Sequence, residues 1–444
     1  MTSWLIGVGA LSTAAVGLGV VTFGLLAARA DVAVLGVPLV LSVVWGWFTR
    51  PGHGARVEVR HARGVAHTGR VHAVLTVDAE PGTETVRVRV TTAGYRERQA
   101  VLAARLGRPG REIEMSVETA RTGVQRLFRV DHLTDAFEQV ASTSPALVGP
   151  LLVTVFPTAR PLRQLPLPFR LQGLTGPHTS RRVGDGSDLH DVHQFTPGDR
   201  LRRIDWRVSA RRSLDTSTGR LGTLYVRRTF ATADATVMIV MDSRDDVGQD
   251  VSTWGGGETA RRDEATSLDL AREAATSIAR RYLDGGDRVG LEDLGLRRRP
   301  VPPSGGRRQL ERIAQRLAIL APEGTPGPRE RAPQVPSGAL LVVCSTFLDD
   351  EAARIATQWR AQGHRVIAVD VLPVVRTDHL DDYQGTAYRL VRLERGIRLT
   401  DLRRSGVELV HWEGDPDGFG SPVPAGVDLL VLARARQRGP VRHR

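Results

Sequence analysis

The chain has 444 residues, a formal net charge of +12 and 61 basic residues, all of them arginine. Without lysine there is no Schiff base, no Ser-Lys dyad and no P-loop Gly-Lys-Ser/Thr, so any ATP-driven step belongs to another chain. The lone Cys344 excludes an internal disulfide and CxxC-type zinc or redox sites.

The chain opens on an uncharged run from Trp4 to Ala27. At 1.5 Å per residue this run is about 36 Å long, enough to cross a bilayer. Arg29 and Asp31 separate it from a second apolar run, Val32 to Phe48, whose Trp45 and Trp47 suit a membrane interface. A cleaved signal peptide, suggested by Ala28-Arg29-Ala30, is the weaker reading, because "MTSW" carries no positive charge and a second span follows at once. Residues 1–50 are therefore expected to form a transmembrane helical hairpin in contact with lipid. Arg50, Arg56 and Arg60 follow the second span. The positive-inside rule then places both ends in the cytoplasm, making this an inner (plasma) membrane protein with a cytoplasmic bulk.

Residues 51–158 alternate apolar and polar in short runs such as "ARVEVRH", "RVHAVLTVD" and "TVRVRVTT". That period predicts an antiparallel β-sandwich of about seven strands. Residues 159–230 combine a Pro/Gly-rich linker with the most basic neighbourhood of the chain. Between Pro161 and Phe230 there are 13 Arg against 6 Asp and no Glu. Residues 231–444 alternate buried-strand runs ("TVMIVMDS", "ALLVVCSTF", "RVIAVDVLP", "VELVHW", "DLLVLA") with helical periodicities. A helix is expected over about Tyr388 to Ser405. The pattern predicts a doubly wound, Rossmann-like α/β domain. Cys344, inside an apolar run, reads as a buried strand residue. The overall basicity fits a membrane-facing surface, and no nucleic-acid partner is expected.

The basic segment holds "FTPGDRLRRIDWRVSAR", Phe195 to Arg211. Pro197-Gly198 suits the centre of a tight turn, and Asp199 is placed to cap a helix starting at Arg200. On that helix Leu201, Ile204 and Val208 would share one face, and Arg200, Arg203, Arg207 and Arg211 another. Asp205 would pair with Arg202 or Ser209, and Trp206 would be the buried anchor. The segment is then either a folding motif or a docking surface for an acidic partner or lipid headgroups. Catalysis has little support, because an aspartate beside arginines is held ionised and makes a poor general acid. Nearby, His190, Asp191 and His193 form a sparse cluster, with too few ligands for a zinc site.

In doubly wound sheets ligands bind at the carboxyl ends of strands. Here those ends carry "MDSRDD" (Asp242 to Asp246) and "STFLDD" (Ser345 to Asp350). Asp242, Asp246 and Asp349 are candidate hard-oxygen ligands for a divalent cation such as Mg²⁺, with Asp350 beside them.

Phe195, Pro197-Gly198-Asp199, Arg203-Ile204-Asp205-Trp206 and Ser209-Ala210-Arg211, followed by the strand "VMIVMDS", resemble the bacterial membrane proteins of domain of unknown function family 58. The resemblance extends over nearly the whole architecture. It implies a von Willebrand factor A-like C-terminal domain, a MoxR-type AAA+ ATPase as partner, and an adaptor or chaperone-system role with no established enzymatic activity; apart from the Mg²⁺ candidate site, no cofactor is expected. The sequence departs from the von Willebrand pattern Asp-x-Ser-x-Ser, because Asp242 is followed by Arg244 and Asp246. It also has Ser345-Thr346 where Ser-Asp is usual, and "PPSGGRRQL" offers no threonine ligand. An arginine inside such a shell competes with a divalent ion. The expected function is a membrane-anchored scaffold or adaptor, and the alternative is a metal-dependent ligand-binding domain. A hydrolase would have only the His190/His193 neighbourhood to rest on.

Overall fold

The computed structural model describes residues 4–62, 64–92, 94, 97–103, 110–171, 176–213, 222–255, 261–295, 299–322, 329–413 and 425–434. The chain divides into two compact units, Met1–Phe156 with Arg261–Glu264, and Pro157–Ala260 with Ala265–Arg444.

The first unit begins with a strand, β1 (Trp4–Ile6), ahead of two helices, α1 (Val8–Leu26) and α2 (Ala30–Phe48). Both helices are long and apolar enough to cross a membrane. Each has 19 residues, which spans about 28 Å. Three residues connect them, one of which, Ala28, adopts φ = 55°. The seam between the helices is lined by glycines. A Cβ on Gly24 would lie 2.4 Å from the Ala33 backbone nitrogen, and one on Gly36 would lie 2.5 Å from the Gly17 carbonyl oxygen. Large apolar side chains such as Leu11, Leu18, Phe23, Leu35 and Leu41 point outward instead. Small residues inside and large apolar ones outside is the packing expected of helices whose surroundings are as apolar as their side chains.

The remaining strands of this unit are β2 (Arg56–His61), β3 (Ala66–His67), β4 (Gly69–Asp78), β5 (Thr83–Thr91), β6 (Arg98–Ala103) and β7 (Arg111–Thr119). They continue as β8 (Gly123–Leu127), β9 (Arg129–Ala136), β10 (Ala141–Thr143), β11 (Ala146–Val148) and β12 (Leu151–Phe156). They form three sheets, ordered β1-β10-β9-β5-β6 with β11 also on β9, β2-β4-β7, and β3-β12-β8. Along β4, Val71, Ala73, Leu75 and Val77 are buried in alternation, as the period-2 pattern requires. Val57, Leu75 and Val77 meet Val86, Val88 and Val130 across the layers in one core cluster. Eleven strands, β2 to β12, are described in residues 51–158, where about seven were expected. Segments as short as β10 and β11 carry no legible alternation, and β1 lies upstream of the helices, pairing antiparallel with β10. The helical hairpin therefore leaves and re-enters the same β layers.

The second unit starts with an irregular strap that is docked rather than free. Leu162 and Leu165 pack on the α/β core. Arg365 Nη1 donates to the Leu167 carbonyl at 2.7 Å, and the Tyr282 hydroxyl donates to the carbonyl of Pro166. Next comes a long antiparallel ribbon, β13 (His178–Gln194) with β14 (Tyr225–Ala233), which carries α3 (Trp206–Ser213) in its connection. The α/β domain comprises β15 (Thr236–Met241), α4 (Ser267–Asp284), β16 (Arg288–Asp293), β17 (Val301–Ser304), α5 (Arg307–Ala318) and β18 (Leu340–Ser345). It is completed by α6 (Asp350–Ala361), β19 (Arg365–Asp370), α7 (Asp382–Arg404), β20 (Glu408–His411) and α8 (Ala425–Arg434).

The sheet order is β17-β16-β15-β18-β19-β20, parallel throughout except for the edge strand β17. Along β15, Val237, Ile239 and Met241 face one core cluster with α4 and α5. Met238 and Val240 face the other, with Ile355 and Trp359 of α6 and Leu399 and Leu402 of α7. Burial on both faces explains the unbroken apolar strand runs. Capping sets the helix starts: Thr266 and Asp269 form a capping box on α4, Asp349 caps α6, and Asp381 with Gln384 caps α7. That last box starts α7 at Asp382, six residues before the expected Tyr388. The run "DLLVLA", expected as a strand, lies within α8 instead. A short apolar run does not by itself distinguish a buried strand from a helix.

Cys344 is fully buried in β18, and burial pushes its thiol up to about 12. In the folded protein a maleimide reagent is expected to label it at less than about a hundredth of the rate seen in denaturant. Rapid native labelling followed by mass spectrometry would contradict this placement.

Candidate functional site

Two places in the second unit gather chemically active side chains: the connection of the β13–β14 ribbon and the carboxyl ends of β15 and β18.

In the connection, Thr196-Pro197-Gly198-Asp199 closes a tight turn through the Asp199 N–H to the Thr196 carbonyl at 3.0 Å. Gly198 has φ = 110°, the region that favours glycine at this turn position. Asp199 does not cap a helix at Arg200. Its carboxylate faces backward, accepting from the Thr196 N–H and hydroxyl at 2.8 Å each and lying 3.0 Å from His193 Nε2. The Thr196 N–H, then its hydroxyl and His193, hold Asp199 down to about 2. Phe195 continues the ribbon, its N–H bonded to the Leu224 carbonyl at 2.8 Å.

The expected single helix is broken. A 3-10 turn covers Leu201–Arg203, Ile204 bridges to Val226 of β14, and α3 begins only at Trp206. The break disperses the expected arginine stripe. Arg200 and Arg203 both bind Asp185 on β13, Arg200 at 3.0 Å, and Arg203 also donates to the Gly184 carbonyl at 3.0 Å. Asp205 is the N-cap of α3, accepting from the N–H groups of Arg207 (3.1 Å) and Val208 (3.0 Å). Its other oxygen binds Arg227 Nε at 2.7 Å rather than Arg202, and the Ser209 N–H donates to the Asp205 backbone carbonyl at 2.9 Å. The Val208 N–H first, and the Arg227 guanidinium after it, hold the Asp205 carboxyl below its usual range. Ser209 is fully buried, and its hydroxyl accepts from the Tyr225 N–H at 2.8 Å.

The expected anchor role of Trp206 is overturned, because its side chain is 60% exposed. Ser209 and the Asp205 cap fix α3 to β14 instead, so the indole is not needed for docking. Leu201 is also exposed, against the expectation of an apolar face shared with Ile204 and Val208. Trp206, Arg207, Ala210 and Arg211 therefore form an outward face, with Arg202 beside it. His190 and His193 do not converge: His190 lies 3.2 Å from Asp191, whereas His193 is on Asp199.

At the strand ends, Asp242 and Asp349 do come together, but around a guanidinium. Arg244 donates from Nε and Nη2 to the two oxygens of Asp242, at 2.8 and 2.9 Å. It donates from Nη1 and Nη2 to Asp349 at 2.6 and 2.9 Å, and from Nη1 to Glu351 at 3.0 Å. All five of its N–H donors are used. Burial opposes the charge on Arg244, but hydrogen bonds and attraction from Asp242 and Asp349 outweigh it and raise its pKa. Asp242 also accepts from the Ser345 hydroxyl at 2.7 Å. Asp245 sits close by, and burial, with Asp242 and Asp349 adding to it, raises its carboxyl. The expected trio of Asp242, Asp246 and Asp349 does not form, because Asp246 lies outside the fork and the central position is taken. Among the described residues no group of three or more His, Cys, Asp or Glu is arranged to hold a metal ion. The residues present do not fit a divalent cation. Asp350 turns away to Arg398 at 2.5 Å.

Sequence reasoning missed Asp185, Arg227 and Glu351. Asp185 and Arg227 lie on the two strands of the ribbon, and their pairing with the signature segment depends on a register the residue pattern does not reveal. Glu351 was legible only as a first-turn acid of α6.

By fold the chain is a multidomain protein, with two apolar helices, β layers that are antiparallel except for the β3–β12 pair, and a doubly wound α/β domain. Residues 191–378 match the family described as "Protein of unknown function DUF58". The chain is 28% identical over 300 residues to uncharacterized proteins of Mycobacterium tuberculosis and Mycobacterium bovis, covering 62% of this chain and 88% of each relative. Of solved structures, the CARDB domain of a Pyrococcus furiosus protein is 16% identical, over 23% of this chain and 86% of that one. Its TM-score of 0.16 is too low to bear on the fold.

Proposed function

We propose that this protein is a membrane-anchored scaffold or adaptor, without catalysis of its own, that docks a partner through the exposed face of α3. The observation that carries this reading is the division of labour in the signature segment. Asp199, Asp205, Ser209, Arg200 and Arg203 are engaged in holding the segment together, whereas Trp206, Arg207 and Arg211 face solvent. Exposed tryptophan and arginine are the residue types that most often dominate binding energy at interfaces. An arginine-rich face fits an acidic partner surface, and the family resemblance names a MoxR-type AAA+ ATPase as that partner. The strand order, with its antiparallel edge strand β17, supports a von Willebrand factor A-like domain. The two apolar helices, followed by Arg50, Arg56 and Arg60, support a plasma-membrane anchor with the bulk in the cytoplasm. The guanidinium filling the strand-end site speaks against the metal-dependent alternative.

The test is co-purification of the full chain with a co-expressed MoxR-type ATPase. Wild type is expected to retain the ATPase. Trp206→Ala with Arg207→Glu and Arg211→Glu is expected to retain at least about tenfold less while its thermal unfolding is unchanged. Undiminished retention by the triple variant would remove α3 as the docking face, and no retention by wild type would remove this partner.

A further inference from the structure

The carboxyl ends of β15 and β18 lie at the point where the sheet changes direction. From β15 the chain crosses through α4 to β16 on one side, and from β18 it crosses through α6 to β19 on the other. This is the crevice in which open α/β sheets bind ligands. Three carboxylates converge there, and at their centre is a cation that belongs to the chain. The Arg244 side chain is only 10% exposed, and its five donors match five acceptor contacts on Asp242, Asp349 and Glu351.

The carboxylates are themselves held in place. Asp242 is fixed by the Ser345 hydroxyl, Asp349 by the N–H of Glu351 at 3.0 Å, and Glu351 by the N–H of Arg329 at 3.1 Å. The acceptor nest is thus supported from behind by groups other than Arg244. One positive charge faces three carboxylates, on Asp242, Asp349 and Glu351. The nest is therefore more negative than a single guanidinium can balance.

We propose that Arg244 is the resident cation of this site, a covalently attached substitute for a divalent ion, and that it makes the α/β domain independent of metal. Removing the guanidinium while leaving its acceptors opens a hard-oxygen site for a divalent cation. The proposal does not depend on the docking role of α3.

The experiment uses the full chain in detergent and Mn²⁺ as the probe, followed by electron paramagnetic resonance and by thermal unfolding with and without the ion. Wild type is expected to take up no stoichiometric Mn²⁺ and to show no shift in unfolding temperature. Arg244→Ala is expected to bind one Mn²⁺ per chain at least about tenfold more tightly than wild type, and to be stabilised by it. Adding Asp349→Asn is expected to abolish both effects. If Arg244→Ala does not fold, Arg244→Gln, which keeps most of the volume and loses the charge, takes its place in the same assay. A folded charge-free variant that binds Mn²⁺ no better than wild type overturns the proposal. So does a wild type that already binds the ion at Asp242 and Asp349.

Discussion

Asp370→Ala is expected to destabilise the α/β domain by about 3–5 kcal/mol, the range for removing one partner from a buried charged network. Asp370 ends β19 and has no exposed side-chain surface. Arg395 Nη2 lies 2.5 Å from one oxygen and His411 Nδ1 lies 2.7 Å from the other. The Leu372 N–H adds a bond at 3.1 Å, and Arg395 Nε donates to the Thr346 carbonyl at 2.8 Å. The network thus joins the ends of β18, β19 and β20 to α7. Truncating Asp370 removes a carboxylate that lies against the Arg395 guanidinium, which is 1% exposed. In a domain of this size each kcal/mol lowers the unfolding temperature by about 2–4 °C, so a fall of about 10 °C is expected. Amide exchange should rise first in peptides from β19 and β20, and unchanged protection there would contradict this account.

The same carboxyl sets a pH dependence. Burial opposes its ionisation, but Arg395 and then His411 more than compensate, so its folded pKa lies below its ordinary value. A carboxyl depressed on folding contributes stability above its unfolded pKa, near 4, and that contribution fades as pH falls through the folded pKa. Asp370→Asn is expected to be less stable at neutral pH and to have a flatter acid limb than wild type. An identical acid limb would show that Asp370 does not carry the linkage.

This network was not legible in the sequence, because Asp370, Arg395 and His411 are separated by a helix and a turn and match no motif spacing. The parallel sheet was legible, because strands buried on both faces leave unbroken apolar runs and α4, α5 and α6 keep a clear helical period. Trp206 failed as a sequence inference for a specific reason. Hydrophobicity says that an indole gains from burial, but it cannot say that Asp205 and Ser209 already fix the helix without it. Asp199 failed similarly, since Thr196 offers both an N–H and a hydroxyl three residues back and outcompetes the helix start. Arg244 was visible as a cation among acids. Only the geometry showed that its five donors are all taken, which turns a degenerate metal site into a filled one.

Gly24→Leu and Gly36→Leu are expected to prevent α1 and α2 from closing on each other. At both positions the atoms a Cβ would meet include backbone, which cannot rotate away. They are the Ala33 nitrogen and Cα at 2.4 and 2.8 Å, and the Gly17 carbonyl oxygen at 2.5 Å with the Val21 nitrogen at 2.9 Å. Relief requires the helix axes to separate, which costs at least about 3 kcal/mol, the upper part of the range for overpacking. It also removes the close backbone approach on which association of such helices depends. The controls lie on α1, the helix of Gly24: a Cβ on Gly9 or Gly19 meets nothing within 4 Å. Leucine at Gly9 or Gly19 is expected to change stability by less than about 0.5 kcal/mol. The effect should reach beyond the helices, because Gly46 near the end of α2 packs on Phe137 and Val140, and the Gly7 N–H before α1 donates to the Val140 carbonyl at 3.0 Å. A hairpin forced open pulls on both attachments, so proteolysis of the purified full chain should accelerate around β10 in the Gly24 and Gly36 variants and not in the controls. Equal behaviour of Gly24→Leu and Gly19→Leu would mean that the glycine seam does not hold the hairpin together.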